Sequence, residues 1–346
     1  MDLLSRLIIF VTYVNAAIGN FECLQDNGGA WIQYKLAEGL DSFVISDTVA
    51  QWAAVAVNAA TSPTVYTFDQ YLAANAGDKV EAAVLAYNSH PPFLRRSLKS
   101  SSSKGFIAWG AEAGKAIWVI HTMNKFVNLE LVDSKTLFNY APLQDKAGML
   151  MCLTFSYNLN EWAEALLYED AVIYFWQMPK TPGLTQTAFR TPAIQALLNK
   201  ETPRSHFSKY TKTMTTASQT APVKIHTISK FGNNMYISLI LKILHKPIRV
   251  WTGKGANIQP SFCKPPLLIE NVVGPFNIGD KEINFPKDTA RWSVVDDTLN
   301  LFCLSTVGRE KDKVEIPSGV VCIEQSTVHS LFKTFAADNI TQICKQ

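Results

Sequence analysis

Six cysteines, Cys23, Cys152, Cys263, Cys303, Cys322 and Cys344, constrain this chain more than any other feature, because all of them follow what reads as an export signal. Met1 to Arg6 is short and charged, Leu7 to Val14 is an apolar run, and Ala16, Ala17 and Gly19 are small. The run is far shorter than the roughly 20 residues a membrane-spanning helix needs, so a signal peptide over 1–19, removed on export, is expected. No later stretch is apolar enough to span a bilayer, and a soluble, secreted, extracellular protein without a membrane partner is the expectation. An even cysteine number in an oxidising compartment predicts three disulfides, although spacing alone chooses no pairing. With no C-x-x-C and no paired Cys/His set, no metal is expected. A sequon at Asn339-Ile340-Thr341 fits a secreted glycoprotein.

Disulfides alone do not build a fold of 346 residues, and here they need not: 47% of residues are hydrophobic and eight are Trp, enough for one large core or two coupled ones. The net charge of +3 demands no acidic partner, but its distribution is uneven. Leu94 to Gly105 holds Arg95, Arg96, Lys99 and Lys104 without an acid, and Lys180 to Lys224 holds seven Lys or Arg against Glu201. Such stretches either neutralise phosphates or are solvated loops.

Short aromatic or β-branched runs predict strands at 31–36, 81–87, 105–109, 116–121, 149–155, 223–228 and 248–251. The two glycines within 110–115 suit a hairpin. Helical composition appears at 160–168, capped by Asn158 or Asn160, near 192–199, and at 327–336, while 235–244 continues the strand and helix signals of the second half. A Thr, Ser, Pro and Lys-rich connection over 180–222 separates an N-terminal half (20–179) from a C-terminal half (223–346). Mixed elements in two halves predict an α/β fold with a central sheet system. No Walker or dinucleotide-binding motif occurs, and no cofactor is expected.

A series of local sequences then stands in one order: Cys23, Asp26, Gly28 and Trp31 with Tyr34-Lys35-Leu36; Tyr87-Asn88 with Pro91-Pro92; Lys104-Gly105; Trp118-Val119-Ile120-His121; Leu150 to Phe155; Ser229-Lys230-Phe231-Gly232 with Tyr236; and Pro260-Ser261 with Cys263. Together they resemble deoxyribonuclease II over nearly the whole mature chain. The resemblance implies a phospholipase D-like pseudo-two-fold arrangement of two α/β halves with central β-sheets and one active site between them. It also implies the disulfides Cys23–Cys152, Cys263–Cys344 and Cys303–Cys322. In active members each half supplies one H-x-K motif. One histidine attacks phosphorus, the other protonates the leaving oxygen, and the lysines hold the phosphate without a metal. The acidic optimum follows from needing one imidazole charged and one neutral.

Here both motifs are degraded. The first reads Ser102-Ser103-Lys104 and the second Thr289-Ala290-Arg291, and none of the six histidines begins an H-x-K. A positioned acid or base contributes roughly 10²–10⁴ in rate, so losing both histidines predicts no catalytic residue and a pseudoenzyme. Ser102 activated by His121 is the formal route back to a nucleophile. Lys104, Arg291 and His121 are the anion-binding candidates, with Lys125, Arg95 and Arg96. The opposite reading makes them relics, solvated or paired with acids such as Asp288. After His121 the sequence Thr122-Met123-Asn124-Lys125 lacks the family's proline, which leaves the role of its asparagine open between Asn124 and Lys125.

Two functional classes follow. One is a secreted pseudo-nuclease that binds either DNA or a protein. The chain is similar to diverged secreted family members of the kind expanded in parasitic nematodes as excretory-secretory glycoproteins, which implies a host protein as the second class of partner. The other is a metal-independent acid endodeoxyribonuclease with a rebuilt, weak site. Family members include dimers, so a homodimer stays open.

Overall fold

The computed structural model describes residues 21–344 except 25–28, 47–48, 76–81, 97, 99, 111–113, 130–144, 157–158, 180–190, 202–207, 219–221, 253–254, 297, 338 and 340–343. The expected signal peptide, Asp26, Gly28, Asn158, Lys99 and part of the basic 180–222 stretch lie outside the described residues.

Strands β1 (Ala30–Lys35), β2 (Ser42–Ser46), β3 (Ala53–Ala54), β4 (Ala82–Asn88), β5 (Lys104–Gly110), β6 (Lys115–His121), β7 (Gly148–Ser156) and β8 (Ile173–Gln177) make one sheet in the order β3-β2-β1-β7-β6-β5-β4-β8. A second eight-stranded sheet runs β12-β13-β11-β16-β17-β18-β10-β9, from β9 (Ser208–Thr215), β10 (Lys224–Phe231), β11 (Ile248–Trp251), β12 (Phe262–Lys264), β13 (Leu267–Val272), β16 (Trp292–Val295), β17 (Leu301–Ser305) and β18 (Ser318–Glu324). β14 (Phe276–Ile278) and β15 (Lys281–Ile283) form a separate ribbon. The mixed α/β class is as expected from sequence. The segment read as a connection also carries β9, an edge strand whose Thr and Lys content masks it, and the bridge between Phe155 and Thr216 joins its end to the first sheet.

Inner strands such as β4, β6 and β7 are largely apolar because both faces of the first sheet are covered there. Side chains alternate: in β4, Ala83, Leu85 and Tyr87 enter a central core, while Ala82, Val84 and Ala86 enter an outer one. The central core also takes Ile225, Trp251, Trp292, Phe302 and Ile323 from the second sheet, so the two sheets share it. Helices α2 (Leu159–Tyr168), α3 (Pro192–Leu198) and α5 (Ser326–Ala337) bury Trp162, Ile194 and Phe332 there. Helix α1 (Pro63–Ala74) covers the first sheet's outer face through Phe68 and Tyr71. A π-helical turn, Met235–Ile240, runs into α4 (Leu241–Leu244) and covers the second. Asn160 is not the cap of α2, since it stands inside the first turn and donates to Glu164 Oε1 at 3.0 Å.

All three implied disulfides are closed: Cys23–Cys152 ties the N-terminal segment to β7, Cys263–Cys344 ties β12 to the C-terminal segment, and Cys303–Cys322 bridges directly paired residues of β17 and β18. Among the described residues no helix is long and apolar enough to cross a membrane.

Candidate functional site

Where the halves meet, a cleft of about 570 Å³ opens, walled by Ser89, Ser102, Lys104 and Asn124 from the first half and Thr289, Arg291 and Lys313 from the second. The backbone closes its floor. Ser102 N donates to Pro317 O at 3.0 Å, Thr289 N donates to Ala147 O at 2.8 Å, and Tyr34 crosses between halves to donate to Asp288 Oδ2 at 2.5 Å. Trp251 Nε1 donates to the same oxygen at 2.8 Å. Burial raises the Asp288 carboxyl pKa against the pull of these donors. Asp288 is therefore a buried strut, and Arg291 is not its ion-pair partner.

The serine run before β5 divides by alternation. Ser101 and Ser103 turn inward: Ser101 Oγ donates to Glu169 O at 2.7 Å and Ser103 Oγ to Glu169 Oε2 at 2.5 Å. Ser229 of β10 donates to Glu169 Oε1 at 2.8 Å, so this buried carboxyl joins the two halves, and burial raises its pKa to about 7 against the two serine donors. Gly319 is required opposite, since a Cβ there would lie 1.9 Å from Glu169 Oε1. Ser102, between them, faces the cleft.

Ser102 and Thr289, the positions read from the sequence as those of the missing histidines, carry hydroxyls engaged in structure. Thr289 Oγ1 donates to Ala147 O at 2.7 Å, and Ser102 Oγ lies 3.4 Å from Thr306 Oγ1 and 3.4 Å from Pro317 O. Neither has a histidine partner among the described residues. Gly148 lets Thr289 pack close, because a Cβ there would stand 3.0 Å from Thr289 Oγ1 and 2.8 Å from Met123 Cγ.

The cations survive in one place. Lys104, the first residue of β5, donates to Ser89 Oγ at 2.9 Å and to Ser102 O at 3.3 Å. Burial, with Lys313 and Arg291 close by, lowers its pKa to about 7. Arg291 donates to Ala290 O at 2.8 Å and to Glu310 Oε1 at 3.1 Å, with its guanidinium over Phe285 at 4.6 Å from the ring centre. Glu310 also meets Lys313 at 3.0 Å; although burial opposes it, Arg291 and Lys313 draw its carboxyl down to about 2. Arg291 is thus oriented by Glu310, the acid that sequence reasoning missed. Lys313 and Lys146 are further cleft cations, and only tertiary proximity reveals them.

The remaining candidates lie elsewhere. His121 ends β6 fully buried behind the cleft, its ring edge-on to Phe126 at 5.0 Å, and burial with nearby Lys104 holds it neutral, well below the ordinary imidazole range. It is an apolar-core residue and not part of the cleft wall. Lys125 is half-buried with φ 55°, its N–H donating to His90 O at 2.7 Å, while Asn124 takes the cleft position. Arg95 and Arg96 are exposed and do not wall the cleft. Among the described residues no cluster of His, Cys, Asp and Glu is arranged to hold a metal.

Two eight-stranded sheets around a shared core, with a cation-lined cleft between them, are the frame of a nuclease-like class of protein. The chain belongs to the deoxyribonuclease II family, whose pattern it matches over residues 22–342. It is 24% identical to Plancitoxin-1 of Acanthaster planci over 269 residues, which span 75% of this chain and 71% of that relative.

Proposed function

We propose that this protein is a secreted deoxyribonuclease II-like pseudoenzyme that binds the phosphate backbone of nucleic acid in the cleft without hydrolysing it. The observation that carries the reading is the split between lost chemistry and kept charge. Thr289 and Ser102 are spent on backbone carbonyls and each other's half, whereas Lys104, Arg291 and Lys313 converge on one cleft. A hydroxyl with no base is a poor nucleophile, and His121, held neutral by burial and making no side-chain hydrogen bond to Ser102, supplies none. A guanidinium fork held by Glu310 still presents donors suited to phosphate oxygens. The pseudo-two-fold relation of the halves, the signal peptide over 1–19 and a glycan on Asn339 belong to the same reading; Asn339 follows the end of α5, its Nδ2 donating to Phe335 O at 3.0 Å.

The test is cleavage of supercoiled plasmid from pH 4 to 8, with and without EDTA, beside a gel shift at rising salt. Binding that weakens steeply with salt, without cleavage, is expected. EDTA-resistant cleavage at acid pH would establish the rebuilt nuclease instead.

A further inference from the structure

Lys104 differs from Arg291 and Lys313 because its amine is held by a hydroxyl and a carbonyl, Ser89 Oγ and Ser102 O, and not by an acid. Arg291 and Lys313 share Glu310, while Lys104 forms no ion pair among the described residues. It is half-buried, at the open cleft wall. Lys230 provides the contrast within the same fold: its pKa is likewise lowered to about 7 by burial, yet it is fully buried, donates to Val314 O and Ile316 O, and does not itself wall the cleft. An amine that is unpaired with acid, largely desolvated and open to a cation-lined cleft is a nucleophile toward carbonyl carbon.

We propose that Lys104 forms a reversible imine with a phosphate-bearing aldehyde held in the cleft, the open-chain abasic deoxyribose of damaged DNA being the occupant, an assignment that rests on the nucleic-acid reading of the cleft. The Nζ lone pair attacks the C1′ carbonyl carbon, the carbonyl oxygen takes up the amine protons, and water leaves as the C=N bond forms. Arg291 and Lys313 hold the flanking phosphates. No oxidant, reductant or metal is consumed.

Its chemistry is read by borohydride trapping of the whole protein at pH 7.4 with two probes, pyridoxal phosphate and a single-stranded oligonucleotide carrying one abasic site, followed by peptide mapping. At that pH an amine titrating near 7 is mostly free base, against about one in a thousand for an ordinary lysine, so labelling at Lys104 should exceed that at exposed lysines by about tenfold or more. Lys230 should stay unlabelled. K104R, which forms no imine, should abolish both adducts; circular dichroism confirms that it folds. Trapping spread over exposed lysines, or an adduct that survives K104R, would overturn the assignment while leaving DNA binding intact. Selective trapping of pyridoxal phosphate without the abasic strand would instead remove DNA as occupant and keep Lys104 as the reactive amine.

Discussion

Glu169→Gln should stabilise this protein at neutral pH and not at acid pH. Glu169 is fully buried between the halves, and its pKa is raised from the ordinary 4.5 to about 7. The unfolded chain releases this proton near 4.5, whereas the folded chain holds it to about 7, so folding takes up a proton inside that window. Stability from this group is therefore greatest below pH 4.5, falls as pH rises to about 7, and is level above it. At 1.36 kcal/mol for each pKa unit the ionised folded state carries a cost of roughly 3 kcal/mol at pH 8. Glutamine removes the charge and keeps an acceptor and a donor for Ser103 and Ser229, whose hydroxyls rotate to suit. Urea unfolding of wild type and variant with disulfides intact, at steps from pH 4 to 8, measures the gap. It should be near zero or slightly unfavourable at pH 4 and open to about 2–3 kcal/mol in the variant's favour by pH 8. A gap that does not change with pH would refute the buried-carboxyl argument.

Lys313→Ala should weaken DNA binding similarly on all sequences and lower the salt slope by about one counterion, read by gel shift at several salt concentrations. DNA affinity of the wild type should fall as pH rises through about 7, because Lys104 loses its charge there, and K104R should flatten that dependence. Restoring the motifs with Ser102→His, Thr289→His and Arg291→Lys should produce metal-independent plasmid cleavage near pH 5, since the fold and cleft are retained; continued inactivity of the folded variant would mean the cleft itself has diverged. Cys303→Ala with Cys322→Ala opens a crosslink spanning a sequence separation of 19 and should cost about 3 kcal/mol of stability by denaturant titration.

Much of this architecture is written locally. Strands such as β6 and β7 are legible because both faces are buried and the chain must be largely apolar there, and the loss of H-x-K is legible because a motif is contiguous. Strand β9 was not, because as a sheet edge it is free to carry Thr and Lys. The site divides in the same way. Lys104 and Arg291 could be named from their motif positions, but Glu310 and Lys313 stand in no motif and join them only when β16, β17 and the loop before β18 fold together. His121, read as a site residue from its strand end, is enclosed by Phe126 and the outer core, since which way a strand's last side chain turns depends on what packs behind it. The sequence by itself thus determined the fold class, the family and the absence of the two histidines, all properties of residue type and order. Which charges pair, which face the cleft, and which lysine is left with a hydroxyl for its partner were decided by tertiary structure, because burial and charge proximity are set by contacts between residues far apart in the chain.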